Sequence, residues 1–409
     1  MVFALRPGLV ASLAASIAML PAVAWPCGAM VFPQHEERPG GMSDQELLVA
    51  FAADQTVLVA SAGYEGIDPA AFAFLLPIAA EPTEVRDADP ALFIALDEES
   101  APRVSIFLEE DEPPSLGCGA KSGDFSNGGR GDGGEVMVQQ RGTTDSYEWV
   151  VLGGDTGTAV ATWLSDEGYV LPADYAAALD PYVSDGWFFF AAKVLPGTTA
   201  GTLAPIELHL PPSAPEAFRV PFGIAAHSLA PGQPLGITTY LWSDGAVLPD
   251  DQASASIAHE EVVALSDSES NYDELQQAIL DIEGGAWIID FARLSSADEI
   301  RSAYAQGEEE GRVDPSKSDV GFVDDFFTRI GMRQGFLTRL RTELPAESLH
   351  DLSLRRDAST AVDNEYLVTF SEEEEGGSCS LGRRRGLPAG LVLALPVLVW
   401  LRPRRRHHA

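Results

Sequence analysis

The stretch GWFFFAAKVLP, residues 186–196, decides the fold class because it is a continuous apolar run, apart from Lys193, that is closed by Gly186 and Pro196. Its length and aromatic content are typical of a strand that is buried on both faces. The run from Trp187 to Phe190 is interpreted as core rather than as a stack that binds a ligand. We therefore predict a buried strand here.

Segments on both sides of this run also indicate strands, because apolar and polar residues alternate in them or because short apolar runs end at Gly or Pro. The predicted strands are 54–66, 72–78, 104–110, two within 135–154, 201–212, 217–226, 234–245, 259–267, 286–295 and 363–370.

Helical periodicity predicts helices between these strands. The predicted helices are 87–103, 157–168, 174–186, 271–285, 296–307 and 320–345. Asn271, followed three residues later by Glu274, is expected to cap its helix. The last helix ends in RLRTELP, which is basic against an acidic background. The mixture predicts an α+β fold of mostly antiparallel strands with inserted helices.

The charge of the chain is strongly negative, with 26 Lys and Arg against 62 Asp and Glu, a net charge of −36. One Arg precedes residue 25 and seven follow residue 378, so the part between carries 18 bases and 62 acids, or −44. Such a surface repels phosphates, and nucleic acid is therefore not expected as a partner. The acidity indicates a soluble surface; the alternative is a surface for a cationic or protein ligand.

The N-terminus predicts a secretory signal peptide. Arg6 precedes the apolar run 9–24, and Ala22 and Ala24 fit the small-residue cleavage rule. We predict cleavage after Ala24, and hence export.

Three cysteines, Cys27, Cys118 and Cys379, remain after this cleavage. Thiols oxidise outside the cytosol, so Cys27 and Cys118 are predicted to form a disulfide; the alternative is two unpaired cysteines. Closing this loop would stabilise the fold by roughly 4 kcal/mol.

The C-terminus combines Cys379, an uncharged segment over 387–401 and a terminal arginine cluster. A helix of that length spans about 22 Å against a hydrocarbon layer of about 30 Å. The order of features resembles the myxobacterial C-terminal sorting tail, although Arg383–Arg385 depart from it by following the cysteine closely. The resemblance implies processing near Cys379 by a sorting machinery; the alternative is a transmembrane helix that anchors the chain. Both place the body outside a membrane, in the cell envelope.

The body contains no recognisable catalytic motif. The sequence has no G-x-S-x-G, P-loop or H-E-x-x-H pattern, and the acidic stretches lack the spacing of a calcium loop. His209, His227, His259 and His350 lie far apart along the chain, and Arg130-Gly131-Asp132 is attributed to chance in a glycine-rich loop. We predict no catalytic residue, metal site or cofactor.

Several body segments together resemble the bacterial domain of unknown function 2330. They include QTVLVASAGYEGIDPAAFAFLLPIAAEPTEV, ATWLSDEGYVLP, DPYVSDGWFFFAAKV, NYDELQQAILDIEGGAWIIDFA and FLTRLRTELP, and they fall within residues 27–345. The resemblance implies export and supports the Cys27–Cys118 pair, but it implies no catalytic residues.

The expected organisation has five parts: a signal peptide (1–24), a mainly β α+β domain (25–255), an α+β C-terminal part of the body (256–371), an acidic linker (372–378) and the hydrophobic tail (379–409). We expect an exported, surface-anchored binding or structural module without enzymatic activity. The alternative is an extracytoplasmic hydrolase that uses acidic residues, with or without a metal.

Overall fold

The structure is a computed structural model, and it describes residues 29–33, 45–61, 73–108, 137–171, 174–195, 204–229 and 233–370. The predicted signal peptide, Cys27, Cys118, the acidic linker and the tail with Cys379 lie outside these ranges. Within them, no helix combines the length and apolar character that crossing a membrane requires.

The described chain contains nineteen strands and six α-helices. The strands are β1 (Ala29–Pro33), β2 (Gln45–Phe51), β3 (Thr56–Ala60), β4 (Ala73–Ile78), β5 (Glu84–Asp87), β6 (Arg103–Leu108), β7 (Met137–Thr143), β8 (Tyr147–Gly153), β9 (Tyr169–Val170), β10 (Phe188–Val194), β11 (Ile206–Leu210), β12 (Arg219–Val220), β13 (Pro234–Ser243), β14 (Val247–Pro249), β15 (Ala253–Ala255), β16 (Ala286–Ser296), β17 (Gln334–Pro345), β18 (Leu352–Arg356) and β19 (Glu365–Phe370). The helices are α1 (Ala91–Ser100), α2 (Gly157–Asp166), α3 (Tyr175–Ser184), α4 (Tyr272–Leu280), α5 (Ala297–Glu309) and α6 (Gly321–Arg329).

The apolar run 186–196 forms β10, a central strand of a six-stranded antiparallel sheet, as predicted. The strand order is β7-β8-β10-β4-β1-β9. Phe189 and Phe190 are both fully buried, and they point to opposite faces of the sheet because side chains alternate along a strand. An apolar side chain is therefore required at nearly every position of this strand.

A second sheet has eight strands in the order β15-β16-β17-β13-β2-β3-β11-β5. Most of its pairs are antiparallel, while β13 with β2 and β15 with β16 are parallel. The sheet takes strands from both sides of residue 255, and β13 pairs with β17 over ten residues of each strand.

The two sheets face each other across the largest apolar cluster, which contains Leu47 and Leu241 from one sheet and Phe74 and Phe190 from the other. The outer face of the eight-stranded sheet packs on α1, α5 and α6, and that of the six-stranded sheet packs on α2 and α3. The described chain is thus an α+β protein with four layers: helices, sheet, sheet, helices.

A small side structure stands beside these layers. The strands β6 and β19 form a two-stranded parallel ladder, in which Phe370 is opposite Leu108. Tyr366 and Val368 of β19 pack with Tyr272 of α4 and with Val262 in a fourth apolar cluster.

The predicted helix over 320–345 is wrong in its second half. Helix α6 ends at Arg329, and Gly331 follows with φ +70°, a conformation that glycine adopts without strain. Residues 334–345 form β17 instead, because the neighbouring strands β13 and β16 provide backbone hydrogen bonds along its length. Pairing within the sheet thus overrides the helix-forming Leu, Arg and Glu residues of this segment.

Three smaller predictions also differ from the structure. Residues 259–267 do not form a strand; a short 3-10 helix (His259–Glu261) is followed by a turn. The predicted strand over 217–226 is reduced to β12 and a 3-10 helix (Gly223–Ser228). The Asn271 side chain does not cap α4, because it accepts from the Val263 N–H and donates to the Glu261 carbonyl.

Candidate binding site

Two arginines and an aspartate meet on the helix-facing side of the eight-stranded sheet. Arg339 and Arg341 are two residues apart on β17, so they share a face with Leu337, which packs in the helix-side core. The register between β16 and β17 shifts between Ile289 and Phe291. Ile289 faces the core between the sheets, so alternation along β16 directs Asp290 to the helix-facing side, and the register shift places Phe291 on that side as well.

Asp290 binds both guanidinium groups through one oxygen. Its Oδ2 lies 3.0 Å from Arg341 Nε and 3.6 Å from Arg339 Nε. On its other side, Arg339 Nη2 lies 2.8 Å from Oδ1 of Asp97 on α1, and the Arg339 guanidinium carbon is 5.8 Å from the centre of the Tyr240 ring. We refer to Asp290, Arg339 and Arg341 as the arginine cluster.

The arginine cluster is buried but reaches solvent at its rim. Asp290 is 1% exposed and Arg339 is 7% exposed, whereas the Arg341 side chain is 26% exposed and that of Asp97 is 49% exposed. Burial disfavours the charged form of Arg339, but the surrounding Tyr240, Asp97 and Asp290 outweigh it and hold its pKa above the ordinary value.

Four buried atoms of the arginine cluster have no hydrogen-bond partner in the described part of the chain. They are Nε and Nη1 of Arg339, Nη2 of Arg341 and Oδ1 of Asp290. Arg339 Nε has only the longer 3.6 Å ion pair with Asp290. Leaving a buried polar atom unpaired costs about 1–3 kcal/mol, and more when it is charged. The cluster therefore offers N–H donors and one carboxylate acceptor that the fold itself does not use.

A second charged cluster joins α6 to β11. Both oxygens of the fully buried Glu207 accept from Arg329, and His209 Nε2 lies 2.6 Å from Glu207 Oε1. Burial alone would raise the pKa of Glu207, but the hydrogen bonds and charges of His209 and Arg329 outweigh it and lower that pKa. The other ring nitrogen of His209 lies 2.7 Å from Gln55 Oε1. With its polar atoms paired in this way, the cluster acts as a structural clamp.

A third cluster surrounds Asp351. Its Oδ1 accepts from the Tyr182 hydroxyl at 2.6 Å and from the Gly223 N–H at 2.9 Å, and Arg219 Nε lies 3.2 Å from its Oδ2. The Arg219 guanidinium also stacks over Trp187 at 4.7 Å. Burial raises the pKa of Asp351 although these bonds oppose the shift. The contacts join α3 to the segment before β18.

Glu99, near the end of α1, is the carboxylic acid whose pKa is raised furthest among those with a resolved value in the described ranges. Burial, and then the negative charge of Glu299, raise this pKa to about 7, while Arg293 and Arg103 oppose the shift. A carboxyl group with this pKa can hold a proton near neutral pH.

The residues singled out from the sequence are not brought together. Cys27, Cys118 and Cys379 lie outside the described residues, so their predicted roles remain predictions. His209 is in the Glu207 clamp, and His259 stacks on Tyr366 with 4.7 Å between ring centres. In the described ranges, no three His, Cys, Asp or Glu side chains form a group that could hold a metal ion.

The arginine cluster was missed because β17 was predicted as a helix, in which residues 339 and 341 would point to different sides. The available signal was the basic RLRTELP segment in a chain of net charge −36. Read with a period of two residues, it places both arginines on one face. Nothing local in the sequence indicates that Asp290 of β16 lies beside these arginines.

The chain is similar to one known family of bacterial proteins. A bacterial family described as "Uncharacterized protein conserved in bacteria (DUF2330)" matches residues 21–271, which is more than half of the chain. The chain belongs to this family. No curated protein matches the sequence.

Solved structures show a low similarity. The crystal structure of baculovirus P35 is 12% identical, with 62% of this chain and 73% of that chain covered and a TM-score of 0.28. A mutated baculovirus P35 after caspase cleavage is 10% identical, with 51% and 72% covered and a TM-score of 0.28. These scores are too low to support a conclusion about this chain.

Proposed function

We propose that this protein is exported, is held at the cell envelope by its C-terminal tail, and acts there as a binding or structural module rather than as an enzyme. The arginine cluster is the observation that supports a binding role most directly. Its unpaired N–H groups can attract a ligand, whereas guanidinium groups do not serve as proton-transfer groups near neutral pH. The tail supports the location through its apolar segment and terminal arginines.

Fractionation of cells tests the location. We expect the full-length chain in the envelope fraction and a variant that lacks residues 379–409 in the medium, because the deletion removes the segment proposed to interact with the membrane and the processing machinery. A variant that lacks only residues 407–409 is the control and stays in the envelope. Envelope retention of the long deletion would contradict the anchoring role of the tail.

A second candidate function is hydrolysis with acidic residues, and the raised pKa of Glu99 favours it. In this case Glu99 would act as a proton donor near neutral pH. Chromogenic ester, phosphate and glycoside substrates, assayed with and without divalent metal, test the idea. Turnover that disappears in Glu99→Gln at an unchanged melting temperature would support hydrolysis, and absence of turnover on every substrate would leave binding as the proposal.

A further inference from the structure

The unpaired atoms of the arginine cluster restrict what it can bind. Arg339 Nη1 and Arg341 Nη2 are donors, and both are shielded from solvent. Guanidinium groups bind oxyanions well, because their planar N–H groups match the spacing of two oxygen atoms. The natural complement of these donors is therefore a small oxyanion.

The unpaired acceptor adds a second requirement. Asp290 Oδ1 has no donor in the described part of the chain, and a carboxylate can only accept. A fully deprotonated anion placed beside Asp290 would be repelled by its charge, and an oxygen of the anion would meet Oδ1 although both atoms can only accept. An oxyanion that keeps a proton removes this conflict, because its O–H group can donate to Asp290 while its other oxygens accept from the arginines.

The surroundings of the cluster hold Arg339 in place and leave one side open to solvent. Arg339 is packed against the Tyr240 ring and is held by Asp97, so its guanidinium is fixed before any ligand arrives. The partly exposed side chains of Arg341 and Asp97 form the solvent side. Helix α4, which begins with Tyr272, contacts β16 and β17.

We propose that Asp290, Arg339 and Arg341 form a binding site for a small oxyanion that retains a proton, of the hydrogen phosphate or bicarbonate class. The inference rests on the binding role proposed above and names its ligand class. The carboxylates of Asp290, Asp97 and Glu46 surround the two arginines, so directed N–H donors, rather than a net positive charge, would hold the ligand.

Binding to the purified full-length chain tests the proposal. Melting temperatures and titration calorimetry at pH 7.5 compare phosphate and bicarbonate with sulfate and formate at constant ionic strength. We expect a saturable rise of melting temperature with phosphate, bicarbonate or both, since a ligand that binds only the folded state stabilises it. Sulfate and formate carry no O–H group at this pH, and we expect them to bind at least tenfold more weakly than phosphate or bicarbonate.

Single-residue variants test whether the ligand binds at the arginine cluster. Arg341→Gln should weaken binding at least tenfold and is expected to fold, because its side chain is partly exposed. Asp290→Asn places an N–H donor beside the ligand and should shift the preference toward sulfate. Arg355→Gln is the control, because Arg355 lies on β18 in a separate three-stranded sheet, where it pairs with Asp357. This variant should bind the ligand as the unmodified chain does.

The proposal is overturned if neither phosphate nor bicarbonate gives a saturable effect, if sulfate binds the unmodified chain equally well, or if Arg341→Gln binds with unchanged affinity. These outcomes leave the envelope fractionation result untouched, so failure of the ligand class can be distinguished from failure of the proposed location.

Discussion

Single residues in this protein show how burial converts ordinary acids and bases into structural or binding groups. Arg339 and Arg341 were recognisable in the sequence as a basic pair, but their partner Asp290 was not, because it lies on another strand and is 51 residues away from Arg341 along the chain. Side-chain identity was thus predictable, whereas the meeting of these side chains was not.

Glu99 makes the stability of the fold dependent on pH. Its pKa in the folded state is about 7, above the ordinary value of 4.5, so the folded state holds this proton more tightly than the unfolded state. The stabilisation that this bound proton gives to the folded state is complete below pH 4.5 and is lost as the pH rises through 7. We expect Glu99→Gln to be more stable than the unmodified chain at pH 8 by about 1–3 kcal/mol and nearly equal at pH 4.

Urea denaturation at pH 4, 6 and 8 measures this difference. Glu98→Gln, at the adjacent residue, is the matched control. It removes the ion pair between Glu98 and Arg312 and should destabilise the chain slightly at pH 8. A Glu99→Gln variant that loses stability at pH 8 would show that the carboxylate is favourable in the folded state.

The proposed Cys27–Cys118 disulfide is a further residue-scale prediction. Peptide maps with and without reductant should differ by one linked peptide pair, and Cys118→Ser should lower the free energy of unfolding by roughly 4 kcal/mol. Identical maps under both conditions would rule the bond out.

At the scale of elements, predictions succeeded where the signal was local. The apolar run of β10 and the end of α2 near Gly168, which has φ +96°, were both predicted from a few neighbouring residues. The strand β17 was not, because its helix-forming residues conflict with its pairing partners, and only the partners decide. Asn271 likewise fits the capping pattern but fixes a turn instead.

The clamp between α6 and β11 should be strongly stabilising. Arg329→Ala leaves the carboxylate of Glu207, whose side chain is 0% exposed, without its main counter-charge, and we expect a loss of about 3–5 kcal/mol. Arg333→Ala, four residues away, breaks exposed contacts with Asp298, Asp324 and the Thr328 hydroxyl and should cost at most about 1 kcal/mol. Chemical denaturation measures both, and equal losses would contradict the role of the clamp.

Gly335 allows β17 to pass close to a buried indole. A Cβ at this position would lie 2.5 Å from the Trp242 ring, so Gly335→Ala should destabilise the chain by about 1–3 kcal/mol. At Gly245 a Cβ would meet no atom within 4 Å, which makes Gly245→Ala the control with little expected change. Thermal melting compares the two variants. An unchanged melting temperature for Gly335→Ala would show that β13 and β17 can move apart without a loss of stability.

At the scale of the molecule, the α+β class was predictable from the mixture of periodicities, but the four layers were not. The layers depend on which faces of two sheets meet, and Leu241 and Phe190 join one apolar cluster only through long-range pairing. Local sequence patterns contain no information about such partners.

Because the eight-stranded sheet uses strands from both sides of residue 255, the two predicted parts of the body should depend on each other. We expect residues 25–255 and 256–371, expressed separately, to lack a cooperative thermal transition, and their coexpression to restore one. Circular dichroism melts measure this, and an independent transition in either fragment would show that it is a domain.

The parallel ladder of β6 and β19 would have a mechanical consequence if the chain is attached through its C-terminal tail, as we propose. A load applied to the C-terminal end of β19 along the strand would act on the whole ladder. The six residue pairs from Glu365 to Phe370 then resist together in shear rather than opening one after another. Tension on the tether would thus be carried first by this short ladder and reach the central layers only after it gives way.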